Sequence, residues 1–193
     1  MTTSYETIKT RLDGTVLSAT FSAPPMNLIG VEVVRDLVAM LEEVSHPAAP
    51  KVVIFDSADP DFFLPHFDMT KVPEYTAEAA KAGGPGDASL GMLFRKLSRL
   101  PAVTIAKLRG RARGAGSEFL LACDMRFASR ENALLGQPEV GIGAPPGAVP
   151  GAASGGPPCS RSLGERAGRR DGANVACRGT SGSTGWTRAA PGR

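Results

Sequence analysis

Apolar positions recur along the chain in two rhythms. Residues 5 to 12 and 15 to 21 are strand-like runs flanking Asp13-Gly14, a dipeptide suited to a tight hairpin. Consecutive prolines in Ala23-Pro24-Pro25-Met26-Asn27 cannot continue a ladder, so the second strand ends there. From Val31 to Val44 the period lengthens. Val34, Leu37, Val38, Leu41 and Val44 fall at helical spacing, and His46-Pro47 closes the helix. Lys51 to Phe55 reads as a short strand buried on both faces. Asp56 to Thr70 reads as a loop whose Phe62, Phe63, Leu64 and Phe67 pack over something, and Val72 to Asp87, rich in Ala and Gly, reads as mobile. Leu90, Leu93, Phe94, Leu97 and Leu100 then share one helical face, stopped by Pro101. A strand over 102 to 108 leads into a Gly- and Arg-rich turn, followed by a short helix around the apolar run Phe119 to Cys123. The alternation of strands and helices predicts an α/β domain, with no internal repeat visible.

Composition narrows the class. The chain has 193 residues, 42% of them hydrophobic, and a mean hydropathy of -0.06. That suits one domain with a real core. No apolar run approaches the roughly 18 residues of a membrane span, and MTTSYETIKT lacks the features of a secretory signal. Cys123, Cys159 and Cys177 suggest neither a disulfide framework nor a metal site, and His46 and His66 stand apart. A reducing cytoplasm is the simplest compartment. The net charge of +3 is uneven. Residues 144 to 193 hold seven Arg, no Lys and two acids, which leaves the remainder mildly acidic.

Candidate chemistry gathers between Gly110 and Glu139. Small residues at Gly114-Ala115-Gly116 before a helix leave backbone N–H groups open to a carbonyl compound, and the helix dipole makes them more positive. Glu118 falls in the first helical turn, and Glu139 follows Gln137-Pro138. Two carboxylates beside exposed amides suit acid–base chemistry at the carbon next to a carbonyl. Blander readings exist for each group. Glu118 is also an ordinary first-turn acid, and Glu139 a solvated loop acid. Arg109, Arg111 and Arg113 read as a solvated strand edge more readily than as phosphate ligands. His66 reads as a packing residue and Cys123 as core. Ser117 lacks a G-x-S-x-G frame, and neither Gly114-x-Gly116 nor Gly141-x-Gly143 completes a dinucleotide fingerprint.

Four stretches in order resemble the enoyl-CoA hydratase/isomerase (crotonase) family. They are Ala23-Pro24-Pro25-Met26-Asn27-Leu28, Phe63-Leu64-Pro65-His66-Phe67-Asp68-Met69, Gly110 to Asp124, and Gly136-Gln137-Pro138-Glu139 with Gly141, Gly143, Pro146 and Gly147. The resemblance implies repeated ββα units in two roughly perpendicular sheets. It also implies an acyl-CoA thioester whose oxygen sits between the N–H groups of Phe67 and Ala115. By the same resemblance Glu118 and Glu139 are the catalytic acids, while Pro65, Asp68, Met69 and Gly114 line the substrate. The implied reaction is hydration of a 2-enoyl-CoA without metal or redox cofactor, coenzyme A being part of the substrate. The implied assembly is a homotrimer or hexamer. Alternatives are another crotonase reaction such as isomerisation, or an inactive acyl-CoA-binding remnant. From another class comes a basic-tailed binder of nucleic acid or acidic partners, although no aromatic platform accompanies the arginines.

The chain departs from the family pattern in places. His66-Phe67 replaces a usual Gly-Ala, so the Phe67 ring is expected to crowd the mouth of the pocket, and Ala115 replaces a usual glycine. After about Gly147 the sequence turns to Arg, Gly, Pro, Ala and Ser, with few large apolar residues. This pattern predicts a crotonase-like core over 1–147, incomplete at its C-terminus through truncation or a shifted reading frame. Residues 148–193 are expected to form a disordered tail.

Overall fold

The computed structural model describes residues 4–46, 50–83 and 90–142. The expected tail, and the Gly143, Pro146 and Gly147 end of the last motif, lie outside the described residues. Among these described residues, eight strands and four α-helices follow in the order β1 (Ile8–Asp13), β2 (Val16–Phe21), α1 (Val31–Val44), β3 (Val52–Ser57), β4 (Phe62–Leu64), α2 (Val72–Gly83), α3 (Leu90–Leu97), β5 (Val103–Leu108), β6 (Arg111–Arg113), α4 (Ala115–Ala122), β7 (Met125–Ala128) and β8 (Leu134–Gly136). Short 3₁₀ turns occupy Met69–Lys71 and Pro138–Ile142.

A five-stranded sheet runs β1-β2-β3-β5-β7, and a three-stranded sheet runs β4-β6-β8. Among the described residues, only the β1–β2 pair is antiparallel. Asp13 pairs with Val16, so the hairpin turn is Gly14-Thr15, with Gly14 at φ +56 in the first turn position. The topology reveals a repetition that the sequence hides. β3 enters the large sheet, β4 the small one, and helices follow. β5, β6 and α4 do the same, and β7, β8 and the 3₁₀ turn at Pro138–Ile142 do so a third time.

The core lies between the large sheet and the helices, and its centre is aromatic. The Phe119 ring of α4 meets Phe55 at 5.0 Å, Phe21 at 5.5 Å and Phe94 at 5.8 Å, all near perpendicular. These edge-to-face contacts suit the ring quadrupoles.

Four expectations need correction. Val72 to Asp87 is not a mobile stretch over its described part. Its alanines favour helix, and Tyr75 and Ala79, one turn apart, are buried in the core as part of α2. The segment from Asp56 to Thr70 is not simply a loop either. Phe63 and Leu64 are fully buried because β4 pairs in parallel with β6. Arg111 to Arg113 is the middle strand of the small sheet, not a turn or an edge, and the Arg111 guanidinium lies 5.3 Å from the Phe62 ring centre. In β3 one face is fully buried and the other only half-buried.

Candidate active site

The three parallel strands of the small sheet deliver the candidate residues at their C-terminal ends. β4 runs into Pro65-His66-Phe67, β6 into Gly114-Ala115, and β8 into Gln137-Pro138-Glu139. Ligands of open α/β sheets gather at this end of the strands, where successive connections diverge. Among the described residues, no helix is long and apolar enough to cross a membrane.

The β4 exit is held by backbone. Ile29 N–H donates to the His66 carbonyl at 2.9 Å, and Asp68 N–H donates to the Ile29 carbonyl at 3.0 Å. This parallel bridge uses the groups on either side of Phe67 and so points the Phe67 N–H away from Ile29. Asn27 secures the approach to Ile29. Its Nδ2 donates to Ser57 Oγ at 2.9 Å and to the Phe62 carbonyl at 3.3 Å, while its Oδ1 accepts from Ala23 N–H at 2.7 Å. The Phe67 ring lies against Tyr75 of α2, at 5.8 Å, and against His66, at 4.3 Å between ring centres. Pro65 is buried. Asp68 and Met69 turn outward. The Asp68 carboxylate accepts from Thr70 Oγ1 at 2.7 Å and Thr70 N–H at 2.9 Å, bonds that hold it below its usual range, and Met69 is exposed.

The β6 exit depends on glycine. Gly114 sits at φ +54 and ψ -125, a region that side chains avoid, with its N–H on the Gly136 carbonyl at 3.0 Å. A Cβ there would lie 2.5 Å from Glu139 Oε1 and 2.8 Å from His66 Cδ2. The bare Cα of Gly114 is therefore the floor on which His66 and Glu139 meet. α4 begins one residue later, so the Ala115 N–H is among those without an intrahelical acceptor. Gly116 lies against the Leu64 carbonyl so closely that a Cβ would collide with it.

Glu118 is buried in the first turn of α4, and its N–H bonds the Gly114 carbonyl at 3.0 Å. The far end of α4 is held as firmly. Arg126 Nη1 donates to the carbonyls of Leu120, Leu121 and Cys123, and Asp124 Oδ2 accepts from Thr104 N–H and Oγ1, both at 2.8 Å. The site thus rests on a pinned element.

Glu139 opens the 3₁₀ turn after β8. Its Oε1 lies 3.6 Å from His66 Nε2, and its Oε2 is buried without a hydrogen-bond partner among the described residues. His66 and Glu139 thus meet over Gly114, beside Ala115 and the Phe67 backbone, and Glu118 follows one helical turn from Gly114. His66, which reads as a packing residue, does pack against Phe67, and it also faces Glu139, a contact that the spacing of the motifs does not show.

Comparison with solved structures gives the class first. A Streptomyces avermitilis structure provisionally described as an enoyl-CoA hydratase is 90% identical, with a TM-score of 0.75, over 77% of this chain and 53% of that one. An enoyl-CoA hydratase structure from Bacillus anthracis, 22% identical, shares the fold with a TM-score of 0.62 over 74% of this chain and 54% of its own. The class is therefore an α/β, crotonase-like fold. A short-chain-enoyl-CoA hydratase of Clostridium acetobutylicum is 32% identical over 137 residues, 70% of this chain and 51% of that protein. Residues 11–165 match the enoyl-CoA hydratase/isomerase family, so the chain belongs to that family. The matched part spans about half the length of each of these three relatives.

Proposed function

We propose that the site binds an acyl-CoA thioester and hydrates the double bond of a 2-enoyl-CoA. The observation that carries this reading is the convergence of three parallel strand ends on Gly114. Their exits carry Glu139, the Phe67 N–H and the start of α4 with the Ala115 N–H, and Glu118 lies in the first turn of α4. The thioester oxygen would sit between the N–H groups of Phe67 and Ala115. As water adds, negative charge develops on that oxygen, and fixed donors there are worth about 3–4 kcal/mol each. Glu118 would take a proton from the attacking water, and Glu139 would give one to the α-carbon. Water is consumed and no net electrons move, so coenzyme A enters only as part of the substrate. Pro65 and Gly114 would line the thioester, with Asp68 and Met69 at the outer rim. The family resemblance adds the expectation of a homotrimer or hexamer, and the cysteine pattern that of a reducing cytoplasm.

The hydratase-named relatives favour this reaction over isomerisation. The test follows loss of enoyl absorbance of a short 2-enoyl-CoA with the wild type, Glu118→Gln and Glu139→Gln. Each substitution should lower turnover by about 10²–10⁴-fold, the usual contribution of a positioned acid or base. Equal rates for all three proteins would refute the two-carboxylate mechanism.

A further inference from the structure

We propose that His66 is a positioning residue: it holds Glu139 by Oε1 and leaves the buried Oε2 as the oxygen that faces the substrate. The proposal rests on the hydratase reading for its consequence, although the contact itself does not. His66 Nδ1 lies 3.0 Å from the Phe67 carbonyl oxygen. A carbonyl oxygen only accepts, so Nδ1 must carry hydrogen and donate. That fixes the ring, whose opposite nitrogen, Nε2, faces Glu139 Oε1 at 3.6 Å. Nε2 and Oε1 thus face each other at a fixed separation, and Oε1 stays turned to the ring.

Three features hold this arrangement. The Phe67 ring lies tilted against the imidazole, 39° between planes and 4.3 Å between centres, which restricts its rotation. Gly114 leaves the space beneath it, since a Cβ would reach 2.9 Å from Nε2 and 2.5 Å from Oε1. Glu139 Oε2 has no hydrogen-bond partner among the described residues although it is buried. A buried acceptor left unpaired is costly. A hydrogen-bond donor arriving with the substrate would relieve the cost.

The test uses the full chain. Its two histidines make the imidazole ¹⁵N spectrum simple, and His46→Gln assigns His66. Nδ1 should show the protonated signature, and Glu139→Gln should move the Nε2 resonance. For turnover, His66→Phe keeps a ring against Phe67 but removes both nitrogens, while His66→Gln keeps one N–H. Phenylalanine should lower kcat on the order of tenfold, a part of the contribution of a positioned acid, with KM little changed. Glutamine should recover part of the loss. An Nε2 resonance indifferent to Glu139→Gln, or full kcat in His66→Phe, would overturn the proposal. A wild type without hydratase activity but with a responsive Nε2 would remove the hydratase reading and leave the pairing standing.

Discussion

At the scale of single residues, Gly114 decides whether the site can form. Its φ of +54 and the two side chains across its Cα leave no room for a methyl group. Gly114→Ala should cost about 1–3 kcal/mol through backbone strain and push Glu139 and His66 apart. The expected outcome is a lower melting temperature, together with a fall in enoyl-CoA turnover larger than the stability loss explains. A variant as active as the wild type would show that the pair does not need that floor. Gly114, Ala115, Glu118 and Glu139 are legible in sequence as candidates because motif spacing fixes positions along the chain. The His66–Glu139 contact is not, since it joins residues far apart in sequence and depends on where two strand exits meet. Nor does sequence show what the Phe67 ring packs on. Its neighbour is Tyr75, a residue of a segment that reads as mobile from composition alone.

At the scale of elements, α4 carries the site because both its ends and its middle are tied down. Phe119, next to Glu118, fills the centre of the aromatic cluster, so Phe119→Ala should cost about 3–5 kcal/mol. Cys123 at its end offers a probe. Burial pushes its thiol up to about 12, and the sulfur contacts the Phe119 carbonyl oxygen at 3.5 Å. In a Cys159→Ser/Cys177→Ser background, alkylation of Cys123 should wait on opening of α4, and Phe119→Ala should speed it. Fast alkylation before any unfolding would contradict the burial. Because the folded thiol titrates above its ordinary value of 9.0, its contribution to stability is present below that pH and is lost as pH rises toward about 12. The helices α1 and α3 are readable from their apolar spacing. β4 and β6 are not, because three-residue strands carry too little alternation to stand out, and pairing in the small sheet makes them strands.

At the scale of the molecule, β7 ends the large sheet with its apolar side uncovered. Met125 and Phe127 alternate on it and are exposed, as is Leu134 of β8. An exposed apolar edge strand invites pairing with another chain. Phe127→Lys should reduce both concentration-dependent association, read by sedimentation, and the fluorescence of a dye for apolar surface. No change in either would mean that this patch is covered in solution. The α/β class is visible in the alternation of patterns, whereas the threefold ββα plan is not. The three units share topology without sharing residues, and only strand pairing exposes the likeness. Each unit gives the site one strand end: β4 the Phe67 amide, β6 the start of α4, and β8 Glu139. On the proposed function no single unit would recognise a thioester. Affinity would arise only once all three have docked, so an acyl-CoA analogue that binds there should act as a ligand for the folded state as a whole and raise the unfolding midpoint of every probe together.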